Sequence, residues 1–453
     1  MKQSPIFDYH KEPSRDILCI DCKSFYASCE AASLGLDPLK VKLVVMSYPS
    51  DSTRKRGSGL ILASSPSAKK AYGITNVSRA RDLPFPYPKD LVIVAPRMNH
   101  YMHVNRKINN IFRTFVDDAN IAVYSVDETF LDVTDSLSYF KCDSAYELAR
   151  IIQRKVFSET GIYTTIGIGE NPLLAKLALD NEAKDNPDMK AEWRYEDVEY
   201  KLWNIDTMTD FWGIGHRTAK RLNKLGIYSI RELAHSNFYR LKKEMGVLGA
   251  QLYAHAWGID RTFLGEDYAP KSKSVGNSQI LIKDYDKRSE IEIVVREMAD
   301  QVATRLRKDD KLTTCVSLWV GYSLTYKDAA GRSGFSKQLT IDATNTSKKI
   351  TEAVLRIFNQ YYDKQVVRNI GISCSKLEEP TRQQLNLFED IKETDRNKKF
   401  DEVVDQVRRK YGFTKMIYTS SLMEGGRAIA RSSLVGGHAG GMAGIEGKSD
   451  EED

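Results

Sequence analysis

Three acidic residues stand in two places far apart in the chain: Asp21, within Ile20-Asp21-Cys22-Lys23-Ser24-Phe25-Tyr26, and the pair Asp127-Glu128, within Tyr124-Ser125-Val126-Asp127-Glu128-Thr129-Phe130. Each group closes an apolar run of strand character, so a sheet that sets the two runs side by side gathers three carboxylates at one edge. Carboxylates so placed repel one another unless cations bind between them. Two Mg²⁺ ions about 3.5–4 Å apart would relieve that repulsion and form the usual apparatus of in-line phosphoryl displacement. Nucleotidyl transfer is the chemistry such a set can do. An Asp-Glu pair alone is commonplace in surface turns. Here Ile17, Leu18 and Ile20 precede one group and Val123, Val126, Phe130 and Leu131 surround the other, a hydrophobic setting that solvated turns rarely require.

The elements that must position these residues follow from pattern. Ile17 to Ile20 reads as a strand, and Ile121 to Val126 with Thr129 to Val133 reads as a hairpin carrying Asp127 and Glu128 at its bend. Ser144-Ala145-Tyr146-Glu147 is a capping box that opens a helix with Leu148, Ile151, Ile152 and Val156 on one face, and Tyr163 to Ile168 is a further strand. Helices on one face of an antiparallel sheet make an α+β layer. Between the acidic groups, Lys42 to Met46 and Gly59 to Ala63 read as short strands and Ser67 to Tyr72 as a short helix. This insertion suits a lid over a bound nucleotide better than an independent core.

Charge is informative once localised. From Phe211 to Lys273 there are eleven basic and five acidic residues, a surplus of six that equals the net charge of the whole chain. This region is the candidate polyanion contact, with a solvated basic helix as the plainer alternative. Within it, Trp212-Gly213-Ile214-Gly215-His216-Arg217-Thr218-Ala219-Lys220-Arg221-Leu222 followed by Leu225-Gly226-Ile227 reads as a glycine turn, a helix and a second glycine turn, the helix-hairpin-helix signature. Gly213 and Gly215 would let backbone N–H groups approach a DNA phosphate, the helix N-terminus favours the anion, and Arg217 and Lys220 add sequence-independent attraction.

After Lys271-Ser272-Lys273 come a strand from Val275 to Lys283, a helix opened by the capping box Ser289-Glu290-Ile291-Glu292 with Ile291, Val295, Met298 and Val302 on one face, strands at Thr313 to Tyr322 and Phe335 to Ile341, a helix with Ile350, Val354, Ile357 and Tyr361 on one stripe, and a strand from Val367 to Ser373. The order β-α-β-β-α-β describes a self-contained small domain. Past Pro380, Gln384-Leu385-Asn386-Leu387-Phe388 offers three apolar anchors in a polar stretch, as for a groove on a partner. A short amphipathic helix near Phe400, Val403, Val404 and Val407 follows. The end from Gly425, rich in Gly, Ser and acids, is expected to be disordered.

At 453 residues, 42% hydrophobic and 28% charged, the chain is a multidomain globular protein by composition. No apolar run approaches the roughly 20 residues that span a bilayer, and Met1 to Arg15 is polar rather than signal-like, so a cytoplasmic protein without membrane contact is expected. Cys19, Cys22, Cys29, Cys142, Cys315 and Cys374 form no evident disulfide framework. Cys19 and Cys22 make a C-x-x-C without the second ligand pair that structural zinc needs, and read as reduced core thiols.

Taken in order, Asp21 through Glu30, Ser125-Val126-Asp127-Glu128, Gly167-Ile168-Gly169 with Ala175-Lys176-Leu177-Ala178, Gly213-Ile214-Gly215 and the six-element domain resemble the Y-family translesion DNA polymerases, in the UmuC-like branch found in bacteria. The resemblance covers residues 15 to 390 or so, and several motifs in order are more specific than any one. It implies an α+β right-hand polymerase: palm in residues 1–24 and 98–190, small fingers in 25–97, a helical thumb with the helix-hairpin-helix in 191–262, a linker in 263–274, a β-α-β-β-α-β little finger in 275–378, and a clamp-binding peptide with a partly disordered tail in 379–453.

By the same resemblance, Asp21, Asp127 and Glu128 would hold two Mg²⁺ ions, helped by the main-chain carbonyl of Cys22. Tyr26 would be the steric gate under the incoming sugar. Phe25, Ser67, Lys70 and Lys184 would contact the nucleotide, with a small-residue roof over the templating base near Ile61 and Ala63. The implied partners are primer-template DNA, dNTP substrates and the bacterial sliding clamp, the last through Gln384, Leu385, Leu387 and Phe388; an accessory subunit stays an open question. The resemblance departs at two positions: many relatives carry an acidic residue where this chain has Lys23, and a tyrosine at the triphosphate-contact position where it has Ser67. Two other readings remain: an inactive DNA- and clamp-binding scaffold, and a nucleotidyl cyclase or nuclease with a similar metal pair.

Overall fold

A computed structural model describes residues 7–47, 59–75, 78–266, 270, 272–328, 330–380, 391–432, 434–435 and 438–439. The chain divides at residue 267 into two compact units. In the first, β1 (Ile17–Cys22) runs through two residues into α1 (Phe25–Ser33), then β2 (Lys42–Met46), β3 (Ile61–Ser64), α2 (Pro66–Tyr72), β4 (Leu91–Val94) and α3 (Met98–Phe112). The hairpin β5 (Ile121–Val123) and β6 (Glu128–Asp132) precedes a one-turn α4 (Ser136–Tyr139), α5 (Ala145–Thr160), β7 (Thr164–Gly169), α6 (Pro172–Ala178) and β8 (Lys190–Trp193). Four further helices follow: α7 (His216–Lys224), α8 (Ile230–Ala234), α9 (Phe238–Met245) and α10 (Val247–Ala256).

The main sheet has the order β5-β6-β1-β7-β8, antiparallel except for the parallel pair of β7 and β8. The expectation of helices on one face is corrected. Alternate residues of β1 enter different cores: Leu18 and Ile20 pack with residues of α3 and α5, whereas Ile17 and Cys19 pack with α6 and the helices that follow. A strand buried on both sides reads as a continuous apolar run, which is why Ile17 to Ile20 shows no polar alternation. The same alternation puts the thiols of Cys19 and Cys22 in different cores, on opposite sides of the sheet, so the C-x-x-C cannot close on one metal.

Other expectations shift in detail. β5 stops at Val123, because the Ser125 hydroxyl accepts from the backbone N–H groups of Asp127 (3.3 Å) and Glu128 (3.0 Å) and so organises residues 124–127 as a turn. Ser144 caps α5 as read, but the Glu147 carboxylate reaches the N–H of Asp143, and Ile151 is exposed. The insertion carries β2, β3 and β4 as a small sheet with a core of its own, built on Val44, Met46, Ile61, Ala68, Ile74, Leu83 and Leu91, rather than a coreless lid.

The second unit holds a four-stranded antiparallel sheet, β9 (Val275–Tyr285), β10 (Leu312–Tyr322), β11 (Gly334–Thr344) and β12 (Val367–Glu378), in the order β11-β10-β12-β9. Helices α11 (Arg288–Lys308) and α12 (Ser347–Tyr361) share one core with it. Helix α11 begins one residue before Ser289, with Lys287 at the cap, so the expected box at Ser289 does not form, and Tyr361 is exposed. The expected short helix near Phe400 is the 21-residue α13 (Ile391–Tyr411). It is pinned to its own unit by Arg307, which bonds Asp401 and Asp405, and by Arg408, which bonds Asp300, all with side chains little exposed. The chain past Gly425 is ordered at least to Ser432, where the backbone N–H groups of Arg427 and Ala428 donate to the Glu297 carboxylate. That overturns disorder from Gly425 onward, since α11 supplies a buried acceptor for those N–H groups. Gln384 to Phe388 lies outside the described residues.

Candidate active site

Strand register brings the acidic residues together. Asp21 faces Glu128 across the β1–β6 pair, and the N–H of Cys22 donates to the Asp127 carbonyl at 2.9 Å. Directly opposed residues of antiparallel strands project from the same face, so two like charges meet where a cross-strand pair normally avoids them. Asp127 sits in the turn beside them, with Ser125 donating to its Oδ1 at 2.7 Å. The hairpin is held from behind by α3, where Asn105 donates to the Val126 carbonyl (2.7 Å) and Asn109 accepts from Thr129 (3.2 Å).

Opposite this edge runs a chain of cations. Lys176 Nζ lies 2.6 Å from Glu128 Oε1 and 3.0 Å from Asp180 Oδ1; Lys184 Nζ lies 2.7 Å from Asp180 Oδ1 and 4.0 Å from Asp21 Oδ2. Lys176 reaches so far because α6 lies flat against β7. A Cβ on Gly167 would stand 2.1 Å from the Ala175 carbonyl oxygen, and one on Gly169 would stand 2.5 Å from the Ala175 nitrogen. That contact explains the pairing of Gly167-Ile168-Gly169 with Ala175-Lys176-Leu177-Ala178. Between the two lysines the helix widens into a π-turn over Leu179–Ala183, a device frequent at functional sites.

Electrostatics follow from the crowding. Burial, with Asp127 and Glu128 nearby and Lys184 only partly offsetting them, pushes the Asp21 carboxyl up to about 7. Burial pulls the Lys176 ammonium down, but its bond to Glu128 and the charges of Asp180 and Glu128 outweigh that and hold it above its ordinary value. Burial lowers the Lys69 ammonium, with Asp21 opposing that and Lys23 and Lys184 adding to it as like charges.

A cleft of about 720 Å³ opens over this edge, lined by Asp21, Asp127, Tyr26, Ala63, Lys69 and Lys184 among others. Phe25 reaches it from the core and Cys22 adjoins it, the Cys22 thiol being buried and held protonated by that burial. Glu128 is off the lining, its carboxylate bonded to Lys176, and three further expected contacts are not brought in. Ser67 spends its hydroxyl on the Leu39 carbonyl at 2.9 Å, Lys70 is exposed and off the lining, and Ile61 belongs to the core of the three-stranded sheet. Adjacent helical residues point about 100° apart, so the face of α2 that looks into the cleft carries Pro66 and Lys69 instead. Lys69, Lys176 and Asp180 were missed as site residues. The spacing Lys176, Asp180, Lys184, each four residues on, was the signal available for two of the three.

A second groove, of about 1120 Å³, shares Lys184 and Asp185 with the cleft and runs to Phe211 through Gly215. There Gly213 has φ +95°, Ile214 is buried, and Gly215 caps α7 without a side-chain acceptor. Gly213, Gly215, Arg217 and Lys220 are all exposed around that helix N-terminus.

A model of the impB/mucB/samB family matches residues 20–180, and one of that family's C-terminal domain matches 272–387. The chain is 38% identical over 436 residues to the putative UV-damage repair protein UvrX of Bacillus subtilis strain 168, spanning 96% of this chain and 100% of that protein. This chain belongs to the Y-family translesion DNA polymerases, in their UmuC-like bacterial branch. It is also 33% identical over 425 residues to DNA polymerase IV 2 of the same strain, with 93% and 98% of the two chains covered. A DNA polymerase-iota thumb-domain model matches residues 209–260 of this Y-family member, the stretch with the glycine turns. The solved Y-family DNA polymerase chimera Dbh-Dpo4(243-245)-Dbh shares its fold at TM-score 0.62 and 22% identity, over 80% of this chain and 99% of that one.

Y-family membership implies use of a divalent metal in general terms. The donor set fits a hard cation: carboxylate oxygens crowded at one edge, with the Asp21 carboxyl raised by burial and by the like charges of Asp127 and Glu128. Among the described residues no three His, Cys, Asp or Glu side chains converge as a ready-made cage. Mg²⁺ is commonly bound through one or two carboxylates with water and substrate phosphates completing its shell, so the observed set is the kind that a nucleotide completes. Among the described residues, no helix is long and apolar enough to cross a membrane.

Proposed function

We propose that this Y-family polymerase extends a primer 3′-hydroxyl on a DNA template by nucleotidyl transfer from dNTPs, with the low fidelity of translesion synthesis, acting on DNA in the cytoplasm. The observation that carries the reading is the Asp21–Glu128 cross-strand pair with Asp127 beside it, Asp21 and Asp127 lining a cleft that also holds Tyr26 and a row of lysines. Asp21, Asp127 and Glu128, with the Cys22 carbonyl, would hold two Mg²⁺ ions, which when bound lower the pKa of the attacking hydroxyl and stabilise the pyrophosphate leaving group. Lys69, Lys184 and Lys23 set positive charge where a triphosphate would lie. Tyr26, half-buried in the cleft floor, excludes a ribose 2′-hydroxyl by bulk. Ala63, small, leaves room above a damaged templating base, which relaxes shape selection.

The helix-hairpin-helix supports DNA binding through backbone N–H groups at Gly213 and Gly215 and through Arg217 and Lys220. Gln384, Leu385, Leu387 and Phe388 are proposed as the sliding-clamp ligand, to be tested by clamp pull-down with Leu387→Ala/Phe388→Ala. The deciding experiment incubates purified protein with Mg²⁺, four dNTPs and a labelled primer opposite an abasic template site. Primer extension that disappears in Asp127→Ala/Glu128→Ala while DNA binding persists is the expected result. Shortening of the primer would instead mark a nuclease, and absence of any reaction a scaffold.

A further inference from the structure

Discrimination between two sugars by bulk requires a ring that cannot recede, because a side chain free to change rotamer yields to the extra hydroxyl. The ring of Tyr26 is held in place. It stacks on Tyr101 with centroids 4.4 Å apart and planes 15° apart. Tyr101, in the first turn of α3, is fully buried, and its hydroxyl donates to Glu30 Oε1 at 2.7 Å. Glu30 lies one turn beyond Tyr26 on α1 and is itself clamped by Arg97, whose Nε lies 3.0 and 3.1 Å from the two carboxylate oxygens and whose Nη2 lies 2.6 Å from Oε2. Arg97 Nη2 also donates to Ser33 Oγ at 2.9 Å, on the same helix α1. The contacts therefore close a ring: Tyr26 to Tyr101 by stacking, Tyr101 to Glu30 by a charge-assisted hydrogen bond, and Glu30 back to Tyr26 through one turn of helix.

We propose that Tyr101, locked by Glu30 and Arg97, is a positioning residue that fixes the Tyr26 ring and so sets how strongly ribonucleoside triphosphates are rejected. The proposal rests on the reading of Tyr26 as the sugar gate. Tyr101 does not touch substrate. A flat aromatic partner leaves the Tyr26 ring one orientation, where an aliphatic neighbour of similar bulk leaves several.

The test is single-nucleotide incorporation with the full chain, measuring kcat/KM for dNTP over rNTP, alongside thermal melting. Tyr101→Leu is expected to lower that ratio by about tenfold, near the upper end of what an aromatic pair is worth. The dNTP value itself should stay within about threefold. Tyr101→Phe, which keeps the stack, should retain the ratio. In a Tyr26→Ala background, Tyr101→Leu should add nothing, because residues acting through one another are non-additive. If Tyr101→Leu does not fold, Arg97→Lys, at a side chain half-exposed, keeps a cation beside the buried Glu30 but gives up the two-pronged clamp, and is expected to lower the ratio about threefold. A ratio unchanged in Tyr101→Leu, or in Arg97→Lys where that variant stands in, while Tyr26→Ala relaxes it, overturns the positioning role and leaves the gate standing. A ratio unchanged in Tyr26→Ala removes the gate itself. An equal loss of dNTP and rNTP incorporation, or a full further drop in the Tyr26→Ala background, also overturns the proposal.

Discussion

Lys176 Nζ lies 2.6 Å from Glu128 Oε1, in a position where both side chains are almost wholly out of solvent. Removing one partner of such a pair strands the other charge in low dielectric.

Lys176→Met is expected to destabilise the protein by about 3–5 kcal/mol, the usual cost of breaking a buried ion pair. Urea denaturation of the metal-free protein measures it. A loss below about 1 kcal/mol, the range of exposed pairs, would show that water reaches Glu128 freely.

Glu170 gives a pH dependence with a definite sign. Burial raises its carboxyl to about 7, against smaller opposing contributions from the Tyr195 N–H and Arg194. Between the unfolded value near 4.5 and that point the folded protein holds a proton that the unfolded chain has lost. Its contribution to stability is therefore present below the unfolded value and is lost as pH rises through the folded one. Glu170→Gln should gain on the wild type in melting temperature as pH climbs from about 4.5 to 7 and hold level above. A difference that is flat with pH rejects the shift.

Arg217→Ala and Lys220→Ala should each weaken binding to any DNA sequence alike and reduce the slope of log affinity against log salt by about 0.9 on duplex. Fluorescence anisotropy at several salt concentrations reads both. An unchanged slope would leave the exposed N-terminus of α7 without a phosphate.

Arg408 in α13 bonds Asp300 of α11 at 2.7 Å, and its guanidinium lies 4.7 Å from the Phe413 ring centroid. Arg408→Ala should cost about 3 kcal/mol in the second unit, because the buried Asp300 loses its ion-pair partner and keeps only the Ser347 hydroxyl. Chemical denaturation followed by a probe in that unit tests it. A negligible loss would mean that the segment after β12 is detachable.

Much of the site was legible because strand signals are local. Apolar runs ending at Asp21 and before Asp127 name a sheet edge, and the glycine turns around Ile214 name a helix N-terminus capped by Gly215. What escaped was phase and partnership. Whether Lys69 or Lys70 faces the cleft is a matter of how α2 is rotated on its small core, and Tyr101 lies on a helix whose residues show no motif.

The one-dimensional pattern by itself determined the main element types, the α+β class, the family and which carboxylates close the apolar runs, since helix and strand periods are local and the motifs stand in a fixed order along the chain. Only the tertiary structure decided that Asp21 faces Glu128, that α6 presses Lys176 onto it, and that Tyr101 backs Tyr26. Strand register and helix rotation are set by which side chains fill a shared core, and that choice is made among residues far apart in the chain.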